Sequence, residues 1–414
     1  PRPAVFVFDH VYTGSTWGSE IGIINTGTDG SISGNLMTYD EYGNRITACK
    51  LELGPGQRKV FSRKDECPLL RKGRYAVFEA PWGVSLSGYT QFDEEDNYRN
   101  ILTATLSAND NDIIFIPHLA SMERWKTGIT LINGLDVSKE ITIRFNDGSS
   151  KIMELDPYAY KTFTIRDLFD GQPQPDLESA VIEDASGLSG TVIFMDPEMH
   201  SMAALKLPQE TATELFFPHI PTDEEWWSSI AIYNPQPVPN KLKFIFYDEK
   251  GNELAVKNEE LDVDQKYIGM IESFDFPENT SWFKVDSEYP VIGFELLGSK
   301  SSLAGFSAVQ SPTHQGVFPK LEKNGWSNLL MVNTGDEDNY LILKALDDSG
   351  NTIAIEEHMV PAKSKLIGAM ENLFPGQDVS DATYVELTSD GNIIGLQLNL
   401  SQDSEKFDAV PVIE

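Results

Sequence analysis

The sequence predicts an all-β chain built from four tandem β-sandwich repeats of about 100 residues each. Three observations predict this. One pattern recurs four times along the chain. Apolar residues alternate with polar ones between closely spaced turns, the period of a half-buried strand. No stretch sustains a helical period.

Each copy opens on an apolar strand, then His or Lys, a short polar turn, Trp, an alternating strand and Asn. The copies read FVFDHVYTGSTWGSEIGIINTG from Phe6, IFIPHLASMERWKTGITLINGL from Ile114, LFFPHIPTDEEWWSSIAIYNPQ from Leu215 and GVFPKLEKNGWSNLLMVNTG from Gly316. The matching positions are His10, His118, His219 and Lys320; Trp17, Trp125, Trp226 or Trp227, and Trp326; and Asn25, Asn133, Asn234 and Asn333. An alternating strand and a tight turn follow in LMTYDEYGN, ITIRFNDGS, KFIFYDEKGN and LKALDDSGN. Asp, Gly and Asn suit such hairpins because they tolerate a left-handed backbone. Phe169, Phe274 and Phe374 then mark one short helical turn in three copies. Two strands close each copy, the last carrying Gly88, Gly190, Gly293 or Gly395. The repeats are expected at 1–108, 109–210, 211–312 and 313–414. The joints between them are short and polar, so neighbouring repeats are expected to touch. A propeller blade is shorter, at roughly 40–50 residues, and fits this spacing poorly.

The segment WSSIAIYNPQPVPNKLKFIFYDEKGNEL resembles Ig-like repeats of secreted bacterial surface proteins, in which FPH, Trp, Asn-Pro and FYD-x-x-GN recur. The likeness extends over all four copies and is clearest over residues 215–310. It implies Ig-like sandwiches, export and no catalysis. Copy four departs with Lys320 in place of His, and copy one carries Cys67 near the missing Phe landmark.

Composition narrows the function. The chain of 414 residues has 32 Lys+Arg against 64 Asp+Glu, a net charge of −32. Nucleic-acid phosphate requires a basic footprint, so that class is excluded, and an anionic membrane surface repels such a chain. No apolar run reaches the roughly 18 residues of a membrane helix. The opening PRPAVFVF is not a secretory leader, and a mature exported protein would look the same. The localisation expected is extracellular or periplasmic. Cys49 and Cys67 are the only cysteines, and in an exported protein they are expected to form a disulfide across the Gly54-Pro55-Gly56 turn.

No HExxH, nucleophile elbow or phosphate loop is present, and neither a cofactor nor a metal is expected. The acidic clusters at Asp93–Asn97, Asn109–Asp112 and Asp336–Asn339 read as solvated loops. Asp196, Glu198 and His200 form a polar cluster in copy two alone, which reads as surface. Three histidines at equivalent positions suggest a zinc site, but Lys320 in the fourth position disfavours it. A His/Lys–Trp pairing within each copy is expected instead. Tryptophan at a repeat position reads as a core plug. The Trp226–Trp227 pair has one indole more than the repeat needs, so these residues are the candidate ligand contact. The expected function is a non-catalytic binding or structural protein whose partner is an extracellular protein or glycan. The alternative is a carbohydrate-active enzyme or accessory binding protein with its site at a cleft between repeats.

Overall fold

The alternating segments fold as strands, and the Asp-Gly-Asn segments as the turns between them. The computed structural model describes residues 4–11, 17–62, 73–94, 99–106, 111–120, 125–195, 201–221, 225–299, 302–403 and 406–413. The chain is all-β, with 60% strand and 3% helix. Along Asn240–Tyr247, Leu242, Phe244 and Phe246 are buried while Lys241 and Lys243 face solvent. The hairpin turns fasten themselves. Asp40, Asp248 and Asp347 each accept backbone N–H bonds from the residues two and four further on, and each also accepts from the side chain of Asn44, Asn252 or Asn351. This is the local bonding that makes Asp and Asn turn formers.

In the first repeat one antiparallel sheet runs Arg45–Leu53, Ile32–Tyr39, Tyr75–Ala80, Ala4–Phe8, Thr105–Leu106. The other runs Arg58–Ser62, Trp17–Asn25, Leu86–Glu94, Arg99–Thr103. Phe8, Leu36 and Phe78 from one sheet meet Ile21, Ile23 and Phe61 from the other in a single apolar core. The second repeat follows the same plan, with Ile113–Ile116, Ala180–Glu183, Lys139–Phe145, Ser150–Leu155 in one sheet and Tyr160–Thr164, Lys126–Asn133, Leu188–Met195, Met202–Lys206 in the other. In the third and fourth repeats a single long strand, Trp282–Gly298 or Tyr384–Ser401, runs through both layers and joins them into one seven-stranded sheet. The first two repeats break that strand at left-handed residues: Gly83 (φ 84°) in one, Asp184 (φ 61°) and Gly187 (φ 79°) in the other. The short helical turns expected near the Phe landmarks are Ile165–Leu168, Ile271–Phe274 and Met370–Leu373.

The chain divides into two compact units, Pro1–Gln209 and Glu210–Glu414. Each contains two copies of the sequence pattern. Cys49 lies in a disulfide; Cys67 lies outside the described residues.

The repeated asparagine ties the two layers of each copy together. Asn25, Asn133, Asn234 and Asn333 are buried at the ends of their strands. Each side-chain amide donates to the carbonyl that ends the outer hairpin: Leu53, Leu155, Leu261 or Val360. Each side-chain oxygen accepts the backbone N–H two residues on. Three of the four also donate to the carbonyl of the next residue in the hairpin turn. An unsatisfied buried polar group costs about 1–3 kcal/mol. Asn333→Ala strands the Glu337, Val360 and Pro361 carbonyls. It is therefore expected to lower the unfolding free energy by about 3 kcal/mol, read as a drop in denaturant midpoint at unchanged m-value.

Candidate functional site

Within each unit the first copy docks on the second through the same positions. In the first unit Tyr39 and Tyr75 stack at 5.1 Å, and the Tyr75 hydroxyl donates to the Tyr158 carbonyl at 2.8 Å. In the second unit Tyr247 and Trp282 stack at 4.3 Å, and the Trp282 indole donates to the Lys363 carbonyl at 2.9 Å. Both acceptors belong to left-handed residues, with φ 56° at Tyr158 and 57° at Lys363. The hairpin tip completes the contact. The Glu41 carbonyl accepts the Tyr160 N–H, and the Glu249 carbonyl accepts the Lys365 N–H. A Cβ on Gly43 would lie 2.2 Å from the Pro157 carbonyl oxygen, and one on Gly251 2.4 Å from that of Ala362. Only glycine permits this approach.

His10 and His219 sit in these junctions. His10 is fully buried against Phe92, and its Nδ1 bonds to the Tyr160 hydroxyl at 2.8 Å. Beside it the buried Asp9 carboxylate pairs with the Lys206 amine at 2.7 Å and accepts from Thr191 at 2.7 Å and from Ser189. His219 faces Lys365, with Nδ1 at 3.3 Å from Nζ, and that amine also donates to the Ser281 carbonyl at 2.7 Å. Buried Glu295 accepts from Ser228 at 2.5 Å. Tyr160 and Lys365, which meet His10 and His219, belong to the following copy. The strand beginning at Tyr160 or Lys365 lies against the hairpin tip and brings that side chain within reach. His118 is half-buried against Phe194, and the Lys320 carbonyl accepts from Gln397.

Burial dominates the electrostatics. It lowers the His10 imidazole to about 4, with Asp9 opposing and Lys206 reinforcing the shift. Burial likewise lowers His219, with Lys365 adding to it. The Lys365 amine is lowered to about 7 by burial, against the pull of Glu249 and Glu295. Burial raises the Glu295 carboxyl well above its usual range.

The tryptophans divide. Trp17 is half-buried and packs on Phe92, Leu102 and Ile193 at the first junction. Trp125 is half-buried, and Trp326 is 37% exposed. Trp226 and Trp227, the candidate ligand contact, are both half-buried. Trp226 packs on Phe407 of the following copy at 4.6 Å, while Trp227 covers the bare backbone of Gly298 and donates to the Ser299 carbonyl. The most exposed indole is Trp82, at 60%, in the Pro81-Trp82-Gly83 turn. Its signal was the turn itself, since it occupies no repeat position. Asp196, Glu198 and His200 lie outside the described residues. Among the described residues no group of His, Cys, Asp and Glu is placed to hold a metal.

The first junction also opens a cleft of about 580 Å³ lined by Glu41, Tyr42, Arg74, Glu154, Asp156 and Lys161, with Leu155, Ala159, Tyr160 and Thr162. Arg74 pairs with Glu41 at 2.9 Å, both about two-fifths exposed, so water screens the pair. Tyr160 lines the cleft and carries the hydroxyl bonded to His10.

No protein-family model and no curated protein matches the chain. Among solved structures, Thermotoga maritima 1070 is 18% identical, covering 24% of this chain and 93% of its own, with a TM-score of 0.21. A tetra-tandem repeat from the extending region of a large adhesion protein is 11% identical over 100% of this chain and 99% of its own, with a TM-score of 0.12. A variant of the major pilin of Streptococcus pyogenes is 11% identical over 74% and 98%, with a TM-score of 0.17. Likenesses this remote carry no argument about function. No helix among the described residues is long and apolar enough to cross a membrane.

The buried imidazole gives the first junction a defined acid response. The folded state holds His10 neutral down to about pH 4, whereas the unfolded chain protonates it below about 6.5. Stability from this group is therefore complete above pH 6.5 and lost as the pH falls to about 4, a change of about 3 kcal/mol. His10→Asn keeps a residue that tolerates the positive φ of 55° and does not titrate. The stability gap between wild type and this variant is expected to shrink by about that amount from pH 7 to pH 4, measured by urea unfolding across the range.

Proposed function

We propose that the protein is an exported, non-catalytic binding scaffold of four Ig-like β-sandwich repeats, and that the cleft at the first junction receives an extracellular ligand. The observation that carries this reading is how the repeat positions are spent. Asn25 and its equivalents bind the layers, Tyr75 and Trp282 dock one copy on the next, and His10 and His219 lie within those docks. None of these groups is presented to a substrate. The cleft, by contrast, is lined by Glu41, Arg74, Glu154, Asp156 and Lys161, whose side chains make none of those bonds. The disulfide at Cys49 supports export. Loops held on a rigid scaffold are a common place for binding residues.

A second reading keeps the same cleft and makes it carbohydrate-active, favoured by the carboxylates of Glu41, Glu154 and Asp156. Two such groups at a suitable spacing define a glycosidase. Incubation with panels of extracellular glycans and matrix proteins separates the two. The scaffold reading expects saturable binding with no new reducing ends. Release of reducing sugar by the wild type, abolished in Glu154→Gln, would replace it with the enzyme reading.

A further inference from the structure

Two free sheet edges of the second copy border the cleft. Tyr160–Thr164 is the edge strand of one sheet and Ser150–Leu155 that of the other. The register settles which backbone groups face outward. Tyr160–Thr164 pairs antiparallel with Lys126–Asn133, Leu131 opposite Lys161 and Thr130 opposite Thr162. The Asn133 N–H donates to the Ala159 carbonyl. Hydrogen-bonded pairs alternate along an antiparallel ladder, so Lys161 and Phe163 bond inward while Tyr160, Thr162 and Thr164 turn their N–H and C=O groups outward. The Tyr160 N–H already meets the Glu41 carbonyl from the first copy, and the Thr164 N–H is capped by the Asp167 carboxylate at 2.7 Å. Between them the Thr162 N–H and C=O point outward beside the cleft that Thr162 lines, with no backbone partner among the described residues.

We infer that the cleft binds an extended, basic polypeptide segment, which adds as a strand to the Tyr160–Thr164 edge and pairs with Thr162. This deepens the binding-scaffold reading and rests on it. An exposed edge offers a row of main-chain donors and acceptors that only another extended backbone satisfies together. A hairpin tip already makes one such main-chain bond in each unit, to Tyr160 and to Lys365. Charge selects the partner. With Arg74 held by Glu41, the remaining charged lining is Glu154 and Asp156 against Lys161, on a chain of net charge −32. Lysine or arginine side chains alternating along the added strand would meet Glu154 and Asp156 on one face. Leu155 and Ala159 supply apolar contact. The volume suits a short segment, within the roughly 300–1,000 Å³ of ligand clefts.

The test uses the full chain and a blocked, fluorescently labelled hexapeptide of alternating valine and lysine, titrated by anisotropy. Saturable binding is expected, weakened at least about tenfold by N-methylating alternate peptide amides. Thr162→Pro removes the outward N–H at an edge position where proline is tolerated. It is expected to cause a similar loss at a nearly unchanged melting temperature. Glu154→Lys with Asp156→Lys is expected to abolish binding and leave the fold intact. If Thr162→Pro fails to fold, the methylated peptide decides. Equal binding of methylated and unmethylated peptides overturns strand addition. Glycan binding with no peptide binding overturns the peptide assignment and leaves the scaffold reading standing; binding to neither peptides, glycans nor matrix proteins removes both.

Discussion

A buried side-chain amide closes every copy of this fold. Two sheets that share an apolar core must also dispose of the backbone groups where their strands end, because those groups have left the ladder. Asn25, Asn133, Asn234 and Asn333 do this by spanning from the strand end of one layer to the hairpin end of the other. With the layers fixed, the outer surfaces of the sheets hold still enough to dock. The stacked rings of Tyr39 and Tyr75, or of Tyr247 and Trp282, stand on such a surface.

Docking keeps its geometry while changing its chemistry. A phenol in one unit and an indole in the other donate to the same left-handed carbonyl. A phenol at Tyr160 and an amine at Lys365 meet the equivalent imidazoles. Each junction holds one imidazole at the same repeat position, and one carboxylate and one amine from different positions: His10, Asp9 and Lys206 in the first, His219, Glu295 and Lys365 in the second. Buried charges are costly unless matched. Keeping this set in both junctions while moving the carboxylate and the amine indicates that the requirement falls on the junction as a whole. The polar groups make the docking specific, and the aromatic pairs add apolar contact.

The strands, the hairpins and the asparagines were legible in the sequence because each is a local or repeated signal. Leu242, Phe244 and Phe246 alternate with lysines, and Asp248 and Asn252 bracket their own turn. The roles of His10 and His219 were not legible, because their partners Tyr160 and Lys365 lie 150 and 146 residues away. The packing of Phe407 on Trp226 was not legible for the same reason, since it joins residues of two different copies. Asp9 carried a signal that was passed over: proline stands at the matching place in the other copies, as Pro117, Pro218 and Pro319. A carboxylate there required a cation, and Lys206 supplies it. The cleft was not legible because it forms only where two copies meet.

The central claim is that copies act in docked pairs, so that each pair unfolds as one body. Native-state hydrogen exchange on the full chain tests it most directly, comparing wild type with Trp282→Ala. Removing the indole deletes its bond to the Lys363 carbonyl and its stack on Tyr247, a loss of about 3–5 kcal/mol. The account expects the slowest-exchanging amides of both Asn240–Tyr247 and Gly325–Asn333 to lose the same free energy of protection. A loss confined to the third copy, with the fourth retaining wild-type protection, would contradict it.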